Sequence, residues 1–138
     1  MGEFLVGVKS LIIHNRKVLL VKRSELSGTG GEDEWEYPGG IMKYGEDLHT
    51  ALRREIKEET NLEVSIGKLL FAVSVNVSPH RQVIGLTYLS HAENDDVKIS
   101  DEHTDFLWAN REQLIGMLGK PLPGYLEENS VLDLLEID

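Results

Sequence analysis

The chain has no cysteine. That excludes disulfides, zinc–thiolate sites and thiol nucleophiles, and it suits a reducing compartment, so a cytoplasmic location is expected. No apolar run approaches the ~18 residues of a membrane span. The opening MGEFLVGVKS lacks the basic segment and long apolar core of a secretory signal. Neither a membrane partner nor export is expected. Positive charge is scarce as well: 14 Lys and Arg stand against 24 Asp and Glu, for a net charge of −10. A nucleic acid polymer, which is held by basic patches, is therefore not an expected partner. A small phosphorylated ligand remains compatible if divalent cations sit between phosphate and carboxylate. The alternative is that the charge serves only solubility.

What is present fits one domain over residues 1–138, with 41% hydrophobic residues to fill a single core. Phe4–Ile13 and Lys17–Arg23 read as strands joined by a turn at Asn15-Arg16. Ser27–Glu34 reads as a loop, and Pro38-Gly39-Gly40 as the end of any regular element. Asp47 to about Asn61 holds good helix formers with no glycine or proline, and Asn61 suits a left-handed helix exit. Leu62–Val77 reads as one long or two short strands, Gln82–Ala92 as a strand, and Ala92–Asp105 as an acidic loop with a short strand near Val97. Phe106–Asn110 reads as a strand, and Arg111–Leu118 and Tyr125–Glu136 as helices. This order implies a mixed sheet with helices on its faces.

The stretch REIKEET, Arg54–Thr60, places three glutamates within five positions. With Leu48 at zero and ~100° per residue, Ala51, Leu52 and Ile56 form an apolar stripe between roughly 300° and 80°. Glu55, Glu58 and Glu59 fall near ~340°, ~280° and ~20°, on the same inward half, while Thr50, Arg53, Lys57 and Thr60 lie opposite. Inward carboxylates need compensation. Arg54 can pair with Glu58 at i, i+4, yet one arginine does not neutralise three glutamates. Oxygen-only ligands suit Mg²⁺ or Mn²⁺. The alternative is a helix end that frays into solvent. Two adjacent glycines at Gly39-Gly40 would let backbone approach a ligand closely.

Together these residues resemble the Nudix box: Gly, five residues, Glu, seven residues, Arg-Glu, an aliphatic, any residue, Glu-Glu, any residue, Gly, an aliphatic. Here Gly40 is followed by IMKYG, Glu46, DLHTALR and Arg54-Glu55-Ile56-Lys57-Glu58-Glu59-Thr60-Asn61-Leu62, with Asn61 in place of the last glycine. So long a spaced motif is specific. The resemblance implies an α/β/α sandwich with a mixed β-sheet and helices on both faces. It also implies Mg²⁺- or Mn²⁺-dependent hydrolysis of a diphosphate linkage in a nucleoside di- or triphosphate derivative. By position it implies Glu58, Glu59 and the Gly40 carbonyl as metal ligands, and Glu55 as a further ligand or the base that activates water. Arg54 would orient a carboxylate, and Glu46 would be an outer member of the network. A Nudix-fold module that binds or senses a nucleotide without cleaving it is the alternative.

In this family a further catalytic glutamate often comes from a later loop, which points to Glu102 or Asp105. Both equally fit an acidic surface loop. Arg23 could face substrate phosphate or be merely exposed, and Trp35 and Tyr37 could stack on a base or anchor their loop. His49, on the outer helix face, and His80 and His103, in loops, have no partner legible in the sequence. Ser78 stands where the diadenosine-polyphosphate group of the family has tyrosine, and Pro79 is off the register of the ADP-ribose group. The marks of the NADH and coenzyme A groups are absent, which leaves a nucleoside triphosphate or modified nucleotide. Leu126, Leu132, Leu134 and Leu135 either seal the core of a monomer or form the face of a homodimer.

Overall fold

The computed structural model describes residues 2–24 and 33–138; most of the expected loop over Ser27–Glu34 lies outside them. Strand β1 (Glu3–His14) and strand β2 (Lys17–Arg23) form a hairpin. Its turn residues Asn15 and Arg16 both take positive φ, 49° and 63°, as a two-residue turn matched to strand twist requires. Strands β3 (Trp35–Glu36) and β4 (Gly39–Ile41) follow, then helix α1 (Leu48–Thr60). Strands β5 (Val64–Ser78), β6 (Arg81–Ala92) and β7 (His103–Ala109) come next, then helices α2 (Arg111–Met117) and α3 (Leu122–Glu128) and a 3-10 turn at Leu132–Leu134.

The strands make one mixed sheet. β1 runs parallel to β6 from Glu3 to Ile13 and antiparallel to β2 and β4. β2 also pairs with β3 and β7, and β5 with β6. Strand alternation then divides the core. Val8, Ile12 and Leu19 pack with Ala51, Leu52 and Ile56 of α1. Leu11, Ile13 and Leu20 pack on the other face with Leu114 of α2, Leu126 of α3 and Val131 and Leu135 beyond it. Each fully buried aliphatic side chain contributes about 1.5–3 kcal/mol. The expected sandwich with helices on both faces is what forms.

Helix α1 has well-defined ends. The Asp47 carboxylate caps its start by accepting from the Thr50 N–H at 2.8 Å, and Asn61 exits left-handed at φ 65°. Four expectations are corrected. Of Pro38-Gly39-Gly40, expected to end regular structure, Pro38 does follow the end of β3 at Glu36, but Gly39 and Gly40 open β4, because Gly39–Ile41 pairs with Gly7–Lys9 of β1. No strand forms near Val97, and β7 begins three residues before Phe106, where His103 pairs with Arg23. The C-terminal helix starts earlier than Tyr125 and stops at Glu128, since Ser130 takes φ 54° and breaks the ladder. Leu126 and Leu135 are buried while Leu134 is 43% exposed. Most of that segment therefore seals the core. Among the described residues no helix is long and apolar enough to cross a membrane.

Candidate active site

The site lies where β4 passes the middle of α1. Gly39 donates its N–H to Glu59 Oε2 at 2.8 Å. Its φ of 153°, with the Val8 carbonyl and Lys9 Cα pressed against it, excludes a side chain. Gly40 lies against Glu55: a Cβ built there would fall 2.5 Å from Glu55 Cδ. The glycine pair therefore lets the strand backbone touch two carboxylates of the helix.

Arg54 gathers the outer part of the site. Its Nε and Nη2 donate to the two oxygens of Glu46 at 2.7 and 2.9 Å, and Nη1 donates to Glu55 Oε1 at 2.8 Å and Glu58 Oε2 at 3.4 Å. Nη2 also reaches the Ile41 carbonyl at 3.3 Å. Those Arg54 hydrogen bonds, with the Lys43 N–H, hold the Glu46 carboxyl at about 2.

The inner part is a cavity of about 360 Å³. Glu36, Glu55, Glu59 and Glu102 line it together with Lys9, Arg23, Gly40 and His103. Burial pushes the Glu59 carboxyl up to about 8; Lys9 and the Gly39 N–H oppose the shift, and Glu36 and Glu55 add to it. Glu55 is raised too, first by burial, then against Arg54 and with Glu58 and Glu102. Burial also raises Glu36, but Lys9 at 2.9 Å and Arg23 at 3.1 Å outweigh it and bring the group below its ordinary value. Burial lowers the His103 pKa, and its Nε2 stands 3.9 Å from Glu59 Oε1. Two buried donor or acceptor atoms at the cavity, Arg23 Nε and His103 Nδ1, have no hydrogen-bond partner among the described residues.

The inward glutamates are thus not alike. Glu59 is 4% exposed. The Glu55 side chain is 15% exposed, and the Glu58 side chain is 56% exposed, which corrects its expected place among the inward carboxylates. Its wheel position at ~280° is at the edge of the inward half, where a long side chain turns out to water. Thr60, expected on the outer face, is fully buried: Lys98 and Ser100 donate their N–H groups to the Thr60 and Glu59 carbonyls across this helix end, and the Thr60 hydroxyl donates to the Ile56 carbonyl at 2.6 Å. Arg23 and Glu102 are brought to the cavity; Asp105 sits exposed on β7, paired in register with Lys22. Trp35 packs on the C-terminal side of the core, while Tyr37 is 1% exposed. His49 packs edge-on against Tyr88, with ring centroids 5.5 Å apart.

Lys9, Glu36 and His103 are site residues that sequence reasoning missed. Lys9 had a signal, a lone charge inside an apolar strand. His103 had none within the acidic run SDEHTDF.

Among the described residues, no three His, Asp or Glu side chains are already disposed to hold a metal ion. Arg54 engages Glu55 and Glu58, while the Gly39 N–H engages Glu59. The donor chemistry nonetheless fits a hard divalent cation: all-oxygen, acidic, partly desolvated and backed by a bare glycine backbone. A cation there would offset the burial that now raises Glu55 and Glu59.

The NUDIX domain model matches residues 4–135. The chain belongs to the Nudix family. Nudix hydrolase 2 of Arabidopsis thaliana is 32% identical over 65 residues, 47% of this Nudix chain and 23% of that protein. The ADP-ribose pyrophosphatase of Methanocaldococcus jannaschii is 32% identical over 98 residues, 70% of this chain and 56% of that protein. This Nudix chain therefore spans less than two thirds of the length of either relative. The crystal structure of the MutT protein from Methanosarcina mazei Go1 superposes with a TM-score of 0.83 at 26% identity, covering 96% of both chains.

Proposed function

We propose that this Nudix chain is a divalent-metal-dependent pyrophosphohydrolase, cleaving a phosphoanhydride bond in a nucleoside di- or triphosphate derivative. One observation carries the reading: four carboxylates and two cationic side chains, Lys9 and Arg23, line a single cavity at the glycine pair. An all-acidic pocket would repel a diphosphate, and an all-basic one would not hold a cation. A mixed wall suits both together.

Mg²⁺ or Mn²⁺, when bound, would neutralise diphosphate charge and lower the pKa of a bound water. Glu59, Glu58 and the Gly40 carbonyl would hold it, with Glu58 turning inward from its exposed position. Glu55 accepts the proton of the attacking water, its carboxyl standing on the cavity wall and held by Arg54 Nη1 at 2.8 Å. Arg54 positions Glu55 and Glu58, and Glu46 anchors Arg54. Arg23, whose buried Nε has no partner among the described residues, donates to a phosphate oxygen. Glu102, on the cavity wall, is a second candidate acid. Residues 1–138 act as one domain in the cytoplasm, as a monomer or homodimer.

The second reading is a nucleotide-binding sensor, favoured by the engagement of Glu55 and Glu58 by Arg54 and of Glu59 by the Gly39 N–H. Incubation with Mg²⁺ and a nucleotide panel separates the two. Release of phosphate or pyrophosphate supports the hydrolase, and tight binding without release supports the sensor.

A further inference from the structure

The loop between β6 and β7 brings Glu102 to the wall of the acidic cavity. There its charge helps to raise the Glu55 carboxyl. Glu102 is exposed, so the place of its side chain follows from the backbone that carries it. Strand pairing does not reach that backbone. The β2–β7 ladder shifts register between Lys22 and Arg23, and Arg23 with His103 is its last pair. Something else must hold the turn that precedes His103.

Ser24, the residue after β2, does so. Its N–H donates to the Glu102 carbonyl at 2.9 Å, and its hydroxyl donates to the Asp101 carbonyl at 2.7 Å. One residue thus holds two successive carbonyls, one of them Glu102's own. Ser24 is 8% exposed, so both bonds are largely shielded from water. Inside the turn, the His103 N–H donates to the Ser100 carbonyl at 3.1 Å, and the Glu102 N–H donates to the Ser100 hydroxyl at 3.4 Å. On the far side, the Ser100 N–H donates to the Glu59 carbonyl at 3.2 Å. The turn is strung between the end of β2, which carries Arg23, and the end of α1, which carries Glu59. Its attachment to α1 is made by backbone. Half of its attachment to β2 needs a hydroxyl at position 24.

We propose that Ser24 is a positioning residue of the hydrolase: its hydroxyl fixes the turn that sets the Glu102 carboxylate in the cavity with Glu55. This rests on the hydrolase reading given above, with Glu102 acting in the chemical step. A serine at a strand end ordinarily satisfies nearby backbone and does no more. Ser24 differs because the turn it holds carries a carboxylate on the cavity wall. Without the hydroxyl, the Asp101 carbonyl loses that donor, and Ser24 keeps only its bond to Glu102. A misplacement of about 1 Å lowers rate about 100-fold, and with one of the two bonds retained a loss of about tenfold is expected.

The test measures kcat and KM with Mg²⁺ on the best substrate of a nucleotide panel, for wild type, Ser24→Ala, Glu102→Gln and the double variant. Ser24→Ala should lower kcat about tenfold and leave KM within about twofold, because Lys9 and Arg23 keep their places. In the Glu102→Gln background it should cost nothing further, because a residue that acts through Glu102 has nothing left to position. Amide hydrogen exchange on the whole protein supplies a readout that needs no turnover. The amides of Glu102 and His103 should exchange about tenfold faster in Ser24→Ala, while those of Leu20 and Val21 in the β2–β7 ladder stay as protected as in wild type.

Wild-type kcat in Ser24→Ala or in Glu102→Gln would overturn the proposal. So would a further loss of about tenfold on combining them, since Ser24 would then act elsewhere than through Glu102. Loss of protection at Leu20 and Val21 would overturn it too, by showing that Ser24 holds the fold and not the turn. Turnover by the wild type with unchanged exchange at Glu102 and His103 sinks this inference alone. No turnover by the wild type, with faster exchange confined to the turn, sinks the hydrolase reading alone and leaves Ser24 as the residue that places Glu102.

Discussion

Gly40→Ala tests whether the glycine is there to admit Glu55. The backbone at Gly40 is not among the positive-φ positions, so alanine suits the chain itself. The added Cβ would lie 2.5 Å from Glu55 Cδ and 2.8 Å from Oε1, against an ordinary contact of 3.4 Å or more. Glu55 Oε2 lies nearer still, so the carboxyl must retreat by about 1 Å, which disturbs the 2.8 Å hydrogen bond it accepts from Arg54 Nη1. A misplacement of about 1 Å in a reacting group lowers rate about 100-fold, or about 2.7 kcal/mol of transition-state stabilisation. The fold loses less, since a flexible carboxyl yields more easily than backbone: roughly 1 kcal/mol, the worth of one hydrogen bond. Initial rates of phosphate release at saturating Mg²⁺, beside a urea unfolding curve, separate the two effects. A variant within threefold of wild-type kcat/KM would refute the reasoning, as would a loss of activity matched by global unfolding.

Other predictions follow the same geometry. Glu46→Gln should destabilise the protein at neutral pH. The native Glu46 carboxyl, at about 2, lies below its ordinary 4.5, so its contribution is complete above pH 4.5 and disappears as pH falls through about 2. Unfolding curves of the two proteins should therefore converge in acid, and a constant gap would contradict the Arg54 pairing. Gly116→Ala in α2, with nothing within 4 Å of the new Cβ, should stabilise by about 0.5–1 kcal/mol through helix propensity; a drop in Tm would show a hidden constraint. Mg²⁺ should raise Tm with concentration, by about 2.7 kcal/mol of stability at 100 times its Kd, and EDTA should reverse the rise. A melting curve indifferent to both contradicts a cation site in the native fold.

The elements that local pattern governs were legible in the sequence. α1 starts at an aspartate cap and ends at Asn61 with its left-handed φ of 65°, and the inward turn of Glu55 and Glu59 follows from helical period alone. Legibility stopped where register decides. Lys9 and Glu36 are 27 positions apart and meet only because their strands, β1 and β3, both pair with β2. Pro38-Gly39-Gly40 reads as a terminator because the partner that makes Gly39–Ile41 a strand is β1, remote in sequence. Glu58 shows the limit of the wheel: an angle places a Cβ, while a long side chain at the stripe's edge chooses water. The C-terminal helix reads longer in sequence than it is, because its leucine spacing continues past Ser130, where the backbone turns left-handed.

The most direct measurement is turnover by wild type and Glu59→Gln, side by side, with Mg²⁺ and a panel of nucleoside di- and triphosphate derivatives. Glutamine keeps the shape of a side chain that burial already pushes towards its neutral form, so the variant should fold and melt like wild type. The account predicts phosphate or pyrophosphate release by the wild type and a loss of about 10³-fold or more in the variant, a removed electrostatic group being worth about 10²–10³ before ligand loss is added. Equal turnover by both proteins, or none by the wild type on any member of the panel, would contradict it.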